Sequence, residues 1–437
     1  MSKPTAIAQK LASIVGTDAV IDWQDIEVER KLERSLLSDF PSCIVYPHTE
    51  AQLSEVITCA YENKWRVLPC GGGSKISWGG LVEADLIVST KNLNKLIQHA
   101  VGDLTVTLEA GTKFATVQDT LATAGQFLAL DPTAPQSATM GGIVATADTG
   151  SLRQRFGSVR DQLLGISFVR ADGQLAKAGG RVVKNVAGYD LMKLFTGSYG
   201  TLGIITAVTF RVYPLLEASE TVVLTGEAEK IAQALTSLRS SALTPTKADL
   251  LSSQLVERLD IGQGLGLIVQ FQSMAESVRQ QSASLLELGQ QLGLQGASYS
   301  AIDEAQLWQK LQTQMSVDTT EPVVTCKIGL LPTAAVAMLA QLDTIAPQSG
   351  ISLIHTGSGL GFLRLEADVA TAEKILEMRS HCETQGGFLT ILEAAAALKQ
   401  QIDVWGYSGN ALNLMRLIKQ QFDAENILSP HRFVGGI

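Results

Sequence analysis

Apolar positions along this chain follow two rhythms that alternate. Leu53 to Asn63 has helical spacing and leads into Arg66-Val67-Leu68-Pro69, a strand that stops at a loop. Ala84 to Ser89, Leu104 to Glu109 and Ile204 to Tyr213 are further β-type runs, and three glycine-rich loops punctuate the region from Cys43 to about Leu215. From Ser219 to about Leu392 the texture changes. Thr221 to Thr225 reads as strand, Glu227 to Ser240 as helix, Ala248 to Ser252 and Leu267 to Gln272 as strands, and Ala275 to Leu292 as a long helix. After a polar helical interruption the order recurs in Val323 to Leu330, Thr333 to Leu342, Ile351 to His355, Phe362 to Leu365, Ala370 to Thr384 and Phe388 to Ile391. Both halves follow β-α-β-β-α-β, the ferredoxin-like order, with no clear closing strand in the first. The tail from Leu412 through Phe422 is spaced as a helix. The pattern predicts an α+β chain whose residues 219–392 form two ferredoxin-like units sharing one sheet.

Gly262-Gln263-Gly264-Leu265-Gly266 and Gly357-Ser358-Gly359-Leu360-Gly361 occupy equivalent points of the two halves. A dinucleotide fingerprint needs strand, glycine turn and then helix, so that the helix N-terminus meets the pyrophosphate. Here a strand follows each set, as it follows Gly197-Ser198-Tyr199-Gly200-Thr201-Leu202-Gly203. The two GxGxG sets read as turns between strands. The chain is not a Rossmann dehydrogenase.

Size and charge narrow the class. A chain of 437 residues has room for two or three domains, and 34 basic against 43 acidic residues give a net charge of −9. That balance argues against nucleic acid or an anionic membrane surface as the main partner. The five cysteines are scattered without a CxxC, so no cysteine-ligated iron–sulfur centre or structural zinc of the chain's own is expected. Reduced thiols, no signal-peptide pattern in Met1 to Lys10 and no membrane-length apolar run predict a cytoplasmic protein, peripheral to a membrane at most through partners.

Candidate chemistry lies in the glycine loops. Pro69-Cys70-Gly71-Gly72-Gly73-Ser74-Lys75-Ile76-Ser77 places three consecutive glycines after a strand. Their successive N–H groups can form an anion-binding concavity, with Ser74 and Ser77 adding hydroxyl donors; a tight turn is the alternative. Asp131-Pro132-Thr133-Ala134-Pro135-Gln136-Ser137-Ala138-Thr139-Met140-Gly141-Gly142-Ile143-Val144-Ala145-Thr146 is the second loop. The third, Gly179 to Asp190 followed by Gly197 to Gly203, is dense in glycine, and backbone that approaches a large ligand closely needs residues without Cβ.

These loops, in this order with strands between them, resemble the vanillyl-alcohol-oxidase (PCMH-type) FAD flavoproteins, and among them the E subunit of bacterial glycolate oxidase. Arg155-Phe156-Gly157-Ser158-Val159-Arg160-Asp161, Asp103 to Gly111, and the tail with Phe422-Asp423 and Pro430-His431-Arg432 extend the resemblance, which covers residues from about 43 to 215 and 420 to 433. It implies a PCMH-type FAD-binding domain over 1–217, a ferredoxin-like cap over 218–398 and a C-terminal helical segment over 399–437 that returns to the FAD domain. It also implies FAD, bound through Pro69, Gly71, Gly72, Gly73, Ser74, Lys75 and Ser77 of the first loop. Pro132, Ala138, Thr139, Gly141, Gly142, Ala145, Asp148 and Ser151 follow from the second region, Gly203, Ile204 and Ile205 from the third, and Arg432 from the tail. Cys70 stands where the family often has arginine and Asp148 where asparagine is common. Relatives with covalent flavin commonly use a histidine after the glycines of the first loop; Ser74-Lys75 stands there, so non-covalent FAD is expected.

A 2-hydroxy acid oxidase of this kind needs a base for the hydroxyl proton and a cation for the carboxylate. The five histidines, His48, His99, His355, His381 and His431, form no closely spaced pair, so the metal-and-histidine site of the catalytic D-type relatives has no visible counterpart and no metal is expected. His355 and Arg364 on neighbouring strands are the catalytic candidates, against plain strand-end and surface roles. Lys184, Arg160 and Arg181 are available to phosphate or to salt bridges. Two functions stay open: an FAD subunit that oxidises glycolate or a similar 2-hydroxy acid, and an FAD-carrying relay or assembly partner of a catalytic flavoprotein; the duplicated ferredoxin-like region speaks against a third, a UDP-N-acetylmuramate dehydrogenase-like reductase. The resemblance implies a D-type flavin subunit and an iron–sulfur F subunit as partners.

Overall fold

The computed structural model describes residues 6–23, 40–181, 188–316, 323–346 and 349–437; Lys184 and its neighbours 182–187 lie outside them. The first sheet has the order Val20–Asp22, Cys43–Val45, Leu86–Ser89, Val67–Cys70, with the last three strands parallel. Helix Glu50–Glu62 starts where the Thr49 hydroxyl accepts the Gln52 N–H at 3.1 Å. It buries Leu53, Val56, Ile57 and Ala60 completely against Val67, Leu86 and Val88. Val67–Cys70 therefore delivers the first glycine loop from a fixed strand end.

The second sheet is antiparallel, ordered Leu96–Ala100, Thr105–Glu109, Ile204–Arg211, Leu163–Val169, Leu175–Gly179. Short helix Met140–Thr146 packs Ile143 and Val144 into its core beside Phe168, Phe195 and Phe210, each of them fully buried or nearly so. Burial of each such side chain stabilises the fold by about 1.5–3 kcal/mol. The second loop leads into that helix, and the third loop runs into the central strand Ile204–Arg211.

The rest of the chain builds one eight-stranded sheet. Its order is Gln295–Ser300, Ala218–Gly226, Leu265–Ser273, Lys247–Leu251, Gly350–His355, Leu360–Glu366, Val323–Gly329, Phe388–Glu393. The second half runs β-α-β-β-α-β, the first follows the same order with helix Ser253–Leu259 inserted between its second and third strands, and the halves meet where Asp249 pairs with His355. The first half does close with a strand, Gln295–Ser300, which pairs with Ala218–Gly226 at the sheet edge. Side chains alternate across the sheet. Val324, Cys326, Ile328, Leu363, Leu365, Leu389 and Ile391 join the core beneath helices Ala335–Ile345 and Ala372–Thr384. Lys327, Phe362 and Thr390 take the opposite face. Gly357–Gly361 joins two strands as expected, but Gly262–Gly266 follows helix Ser253–Leu259, so it is a helix-to-strand turn.

The C-terminal segment returns to the first sheet. Val67 N–H donates to Ile427 O at 2.7 Å, and Ser429 N–H to Val67 O at 2.9 Å. Helix Leu412–Phe422 precedes it, and buried Lys419 donates to Thr201 O, Leu428 O and Asp423 Oδ2 at 2.6–2.9 Å. No helix of the described residues is long and apolar enough to cross a membrane.

Candidate functional site

The first two glycine loops interlock. A Cβ at Gly71 would overlap the Thr139 side chain, and one at Gly72 would overlap the Ser137 carbonyl. Gly141 is held by its neighbour strand: its N–H donates to Ala110 O at 2.7 Å, and a Cβ would meet Ala110 Cβ at 2.7 Å. Gly142 differs, since a Cβ there meets only Thr139 Oγ1, at 3.1 Å. Within the described residues no hydrogen bond engages the N–H groups of Gly72, Gly73 or Ser74. Three successive unengaged donors make the anion-binding concavity that the glycine run suggests.

The third loop closes the groove. Tyr199 N–H donates to Ala145 O at 2.8 Å with Tyr199 at φ 56°, a left-handed conformation uncommon for a side-chain-bearing residue. Ser429 and His431 share that conformation, at φ 47° and 69°, on either side of Pro430, and the turn they make delivers Arg432 inward. Arg432 is buried. Its Nη2 donates to Ile76 O at 2.8 Å and to Lys75 O at 3.3 Å, while Nε and Nη1 have no partner. Burial pushes its pKa down to about 10, opposed by Tyr199 and Cys70.

Together these elements line an open groove with about 660 Å³ of empty space. Pro69, Gly71, Gly72, Gly73, Ser74, Lys75, Thr139, Gly141, Gly142, Ala145, Gly203, Ile204, Ile205 and Arg432, all expected from the sequence, line it. Cys70, Ile76, Thr90, Thr146, Tyr199 and Gly200 line it too and were not expected. Ser77 and Ala138 do not reach it. Ala138 is fully buried in the core, and the Ser77 carbonyl accepts from the buried Lys399 ammonium, which also donates to Gly79 O at 2.9 Å. The free N–H groups, the half-satisfied guanidinium and the Cβ-free floor fit the diphosphate of FAD.

Asp148, Pro132 and Ser151 sit on the far side of a polar partition. Lys75 Nζ lies 2.9 Å from Asp148 Oδ2, with both side chains buried. The same oxygen accepts the Thr133 N–H at 3.0 Å and the Thr133 hydroxyl at 3.1 Å. Beyond it is a second cavity of about 980 Å³, lined by Asp131, Pro132, Thr133, Gly150 and Ser151 on one side and by Lys247, Trp308, Leu353, His355 and Phe362 on the other.

His355 is built into this second cavity by a hydrogen-bond chain. Asp249 Oδ2 accepts the Ser151 hydroxyl, and Asp249 Oδ1 lies 2.7 Å from His355 Nδ1. With Nδ1–H donated to the carboxylate, Nε2 is the acceptor, and it is buried without a partner. Lys247 Nζ stands 4.1 Å over the Trp308 ring. Asp131 has its pKa raised by burial, opposed by Lys247 and by the Leu152 N–H.

Arg364 does not join His355. It shares the sheet face but lines a separate cavity with Arg258, Gln314 and Glu366, where its guanidinium donates to the Gln314 carbonyl. Lys247, two residues before Asp249, is the cation that the His355 cavity holds. Of the other basic candidates, Arg181 Nη1 donates to Gln98 Oε1 at 2.7 Å. No disulfide joins any of the five cysteines; burial pushes the Cys43, Cys326 and Cys382 thiols up to about 12. Among the described residues no group of three or more His, Cys, Asp or Glu is placed to hold a metal ion.

Residues 41–179 match a family described as an FAD binding domain. The chain is 22% identical over 414 residues to glycolate oxidase subunit GlcD of Bacillus subtilis, covering 89% of this chain and 88% of that one. It is 35% identical over 168 residues to glycolate oxidase subunit GlcE of Escherichia coli, covering 38% of this chain and 48% of that one. The fold is shared with p-cresol methylhydroxylase solved with substrate bound, at a TM-score of 0.74 and 16% identity, over 98% of this chain and 96% of that one. The matched stretch holds the first two loops of the groove; the third loop and Arg432 lie outside it. The chain carries an FAD binding domain and is an FAD-dependent oxidoreductase.

Proposed function

We propose that the chain is the FAD-binding subunit of a 2-hydroxy acid dehydrogenase that oxidises glycolate to glyoxylate and passes the electrons through the flavin to an iron–sulfur subunit. One observation carries this reading: the loop region that floors the FAD groove also supplies Asp131 to Thr133 and Gly150 to Ser151 to the wall of the cavity that His355 lines. Bound FAD supplies a hydride acceptor. His355 takes the hydroxyl proton at Nε2, Asp249 holds its ring, and Pro69 through Lys75, the Thr139 to Ala145 segment, Gly203 to Ile205 and Arg432 hold the cofactor, without a covalent bond. The division at 217 and 398 into FAD domain, ferredoxin-like cap and C-terminal segment belongs to the same proposal.

The likeness to GlcD and GlcE supports a multisubunit setting with a D-type flavoprotein and an iron–sulfur protein. A second reading makes this chain the FAD-carrying relay while a sister flavoprotein performs the chemistry. Leu414 and Leu417, 59% and 62% exposed on helix Leu412–Phe422, suit a lasting partner in either reading. Affinity purification from native cells tests the assembly. Recovery of a flavoprotein and an iron–sulfur protein with glycolate-dependent activity supports it, and a lone, fully active chain contradicts it.

A further inference from the structure

We propose that Lys327 anchors the substrate carboxylate, and that the chamber beyond it admits a 2-hydroxy acid bearing an apolar side chain of aromatic size. This rests on the function proposed above and names the substrate class for the same face of the sheet.

Across the eight-stranded sheet, Leu353 pairs with Phe362, Phe362 with Lys327, and Lys327 with Thr390. This row faces the glycine loops. Phe362 lines the His355 cavity, its ring 6.3 Å edge-on from the imidazole. On the other side of Phe362, Lys327 and Thr390 line a chamber of about 1110 Å³. That chamber touches the FAD groove, since Thr146 and Tyr199 line both. It is continuous with the place where the cofactor would lie.

The Lys327 ammonium has no hydrogen-bond or ion-pair partner among the described residues. Lys327 is partly exposed and lines the chamber. Burial lowers its pKa, Asp148 opposes that shift and Arg153 adds to it. A half-buried cation that no side chain pairs, at the wall of a chamber, is a ready partner for an anionic group. Aromatic side chains make up part of the wall: Tyr199, Trp405 and Phe433 pack edge-on or tilted at 5.0–6.0 Å, with Phe388 and Tyr407 also lining it. Glycolate has nothing to set against such a surface. A larger 2-hydroxy acid has, and an aromatic side chain gains from both burial and ring contact.

Phenylacetate, a carboxylate with no hydroxyl to oxidise, is the probe. The FAD-loaded protein titrated by calorimetry should bind it saturably, Lys327→Met should weaken that binding by about thirtyfold or more, and Lys327→Arg should restore part of it. Unchanged affinity in Lys327→Met, or no binding to the wild type, overturns the proposal. In parallel, flavin reduction by 3-phenyllactate should show a lower KM than reduction by glycolate, and an equal or higher KM overturns the size assignment. Glycolate reducing the flavin of Lys327→Met at the wild-type KM overturns the anchor and leaves the proposed function intact. Lys327-dependent phenylacetate binding with no flavin reduction by any hydroxy acid overturns the proposed function and leaves the anchor.

Discussion

Asp249 Oδ1 and His355 Nδ1 stand 2.7 Å apart, on directly paired residues of the two strands that join the halves of the large sheet. The second carboxylate oxygen is taken by the Ser151 hydroxyl from the loop region, so one buried acid ties both halves to the FAD side. Asp249→Asn removes the negative charge and turns one of the two acceptor oxygens, which serve His355 and Ser151, into a donor, so the imidazole loses its fixed tautomer. Hydroxy acid-driven flavin reduction, followed by rapid mixing, should slow by a factor of about 10²–10⁴. His355→Gln should fall in the same range, and the double variant should be little worse than either single one, because the two act as a unit. An unaltered rate in Asp249→Asn removes this assignment.

The glycines of the groove separate structural from ligand-facing roles. Gly72→Ala should lower the melting temperature of the FAD-free protein, since the added Cβ strikes the Ser137 carbonyl and overpacking of that kind costs about 1–3 kcal/mol. Gly142→Val meets only Thr139 Oγ1 at 3.1 Å, so the FAD-free fold should hold while FAD affinity falls. Melting curves with and without FAD read both effects. Wild-type FAD affinity in Gly142→Val would place the cofactor elsewhere.

Arg432 has two guanidinium nitrogens, Nε and Nη1, without partners in a buried position. A charge-assisted hydrogen bond is worth about 1.5–3 kcal/mol, so Arg432→Met should weaken FAD binding by roughly ten- to a hundredfold. The rise in melting temperature on adding FAD should shrink in step. A full thermal shift in the variant contradicts a role at the cofactor.

The flavin should come free of the protein in acid. Ser74 and Lys75 follow the glycines, and Cys70, half-buried, is the thiol that lines the groove. After acid precipitation the yellow colour should move to the supernatant as FAD. Colour kept in the pellet, and lost in Cys70→Ser, contradicts non-covalent binding.

Much of this was legible in the sequence because the residues involved answer to local rules. The helix after Thr49, the strand before Pro69 and the glycine loops each follow from spacing and turn chemistry. Gln295–Ser300 was not legible. It is an edge strand of polar and small residues, largely exposed, held by backbone pairing to Ala218–Gly226 rather than by an apolar face. Gly262–Gly266 was read as a strand-to-strand turn because helix Ser253–Leu259 is too short to show a period, and Asp260 at φ 57° ends it. Arg364 was placed on the correct face but at the wrong end of its strand. Lys247 and Lys327 reach their cavities through cross-strand register, which a linear pattern does not contain.

The most direct measurement is the flavin absorbance of the purified, FAD-loaded chain after adding a 2-hydroxy acid without oxygen. The groove, the free Nε2 of His355 and the oxidoreductase assignment together predict that glycolate, or a larger 2-hydroxy acid, bleaches the flavin. Full reduction by dithionite alongside no response to any 2-hydroxy acid, alone or with the partner subunits, would contradict the account.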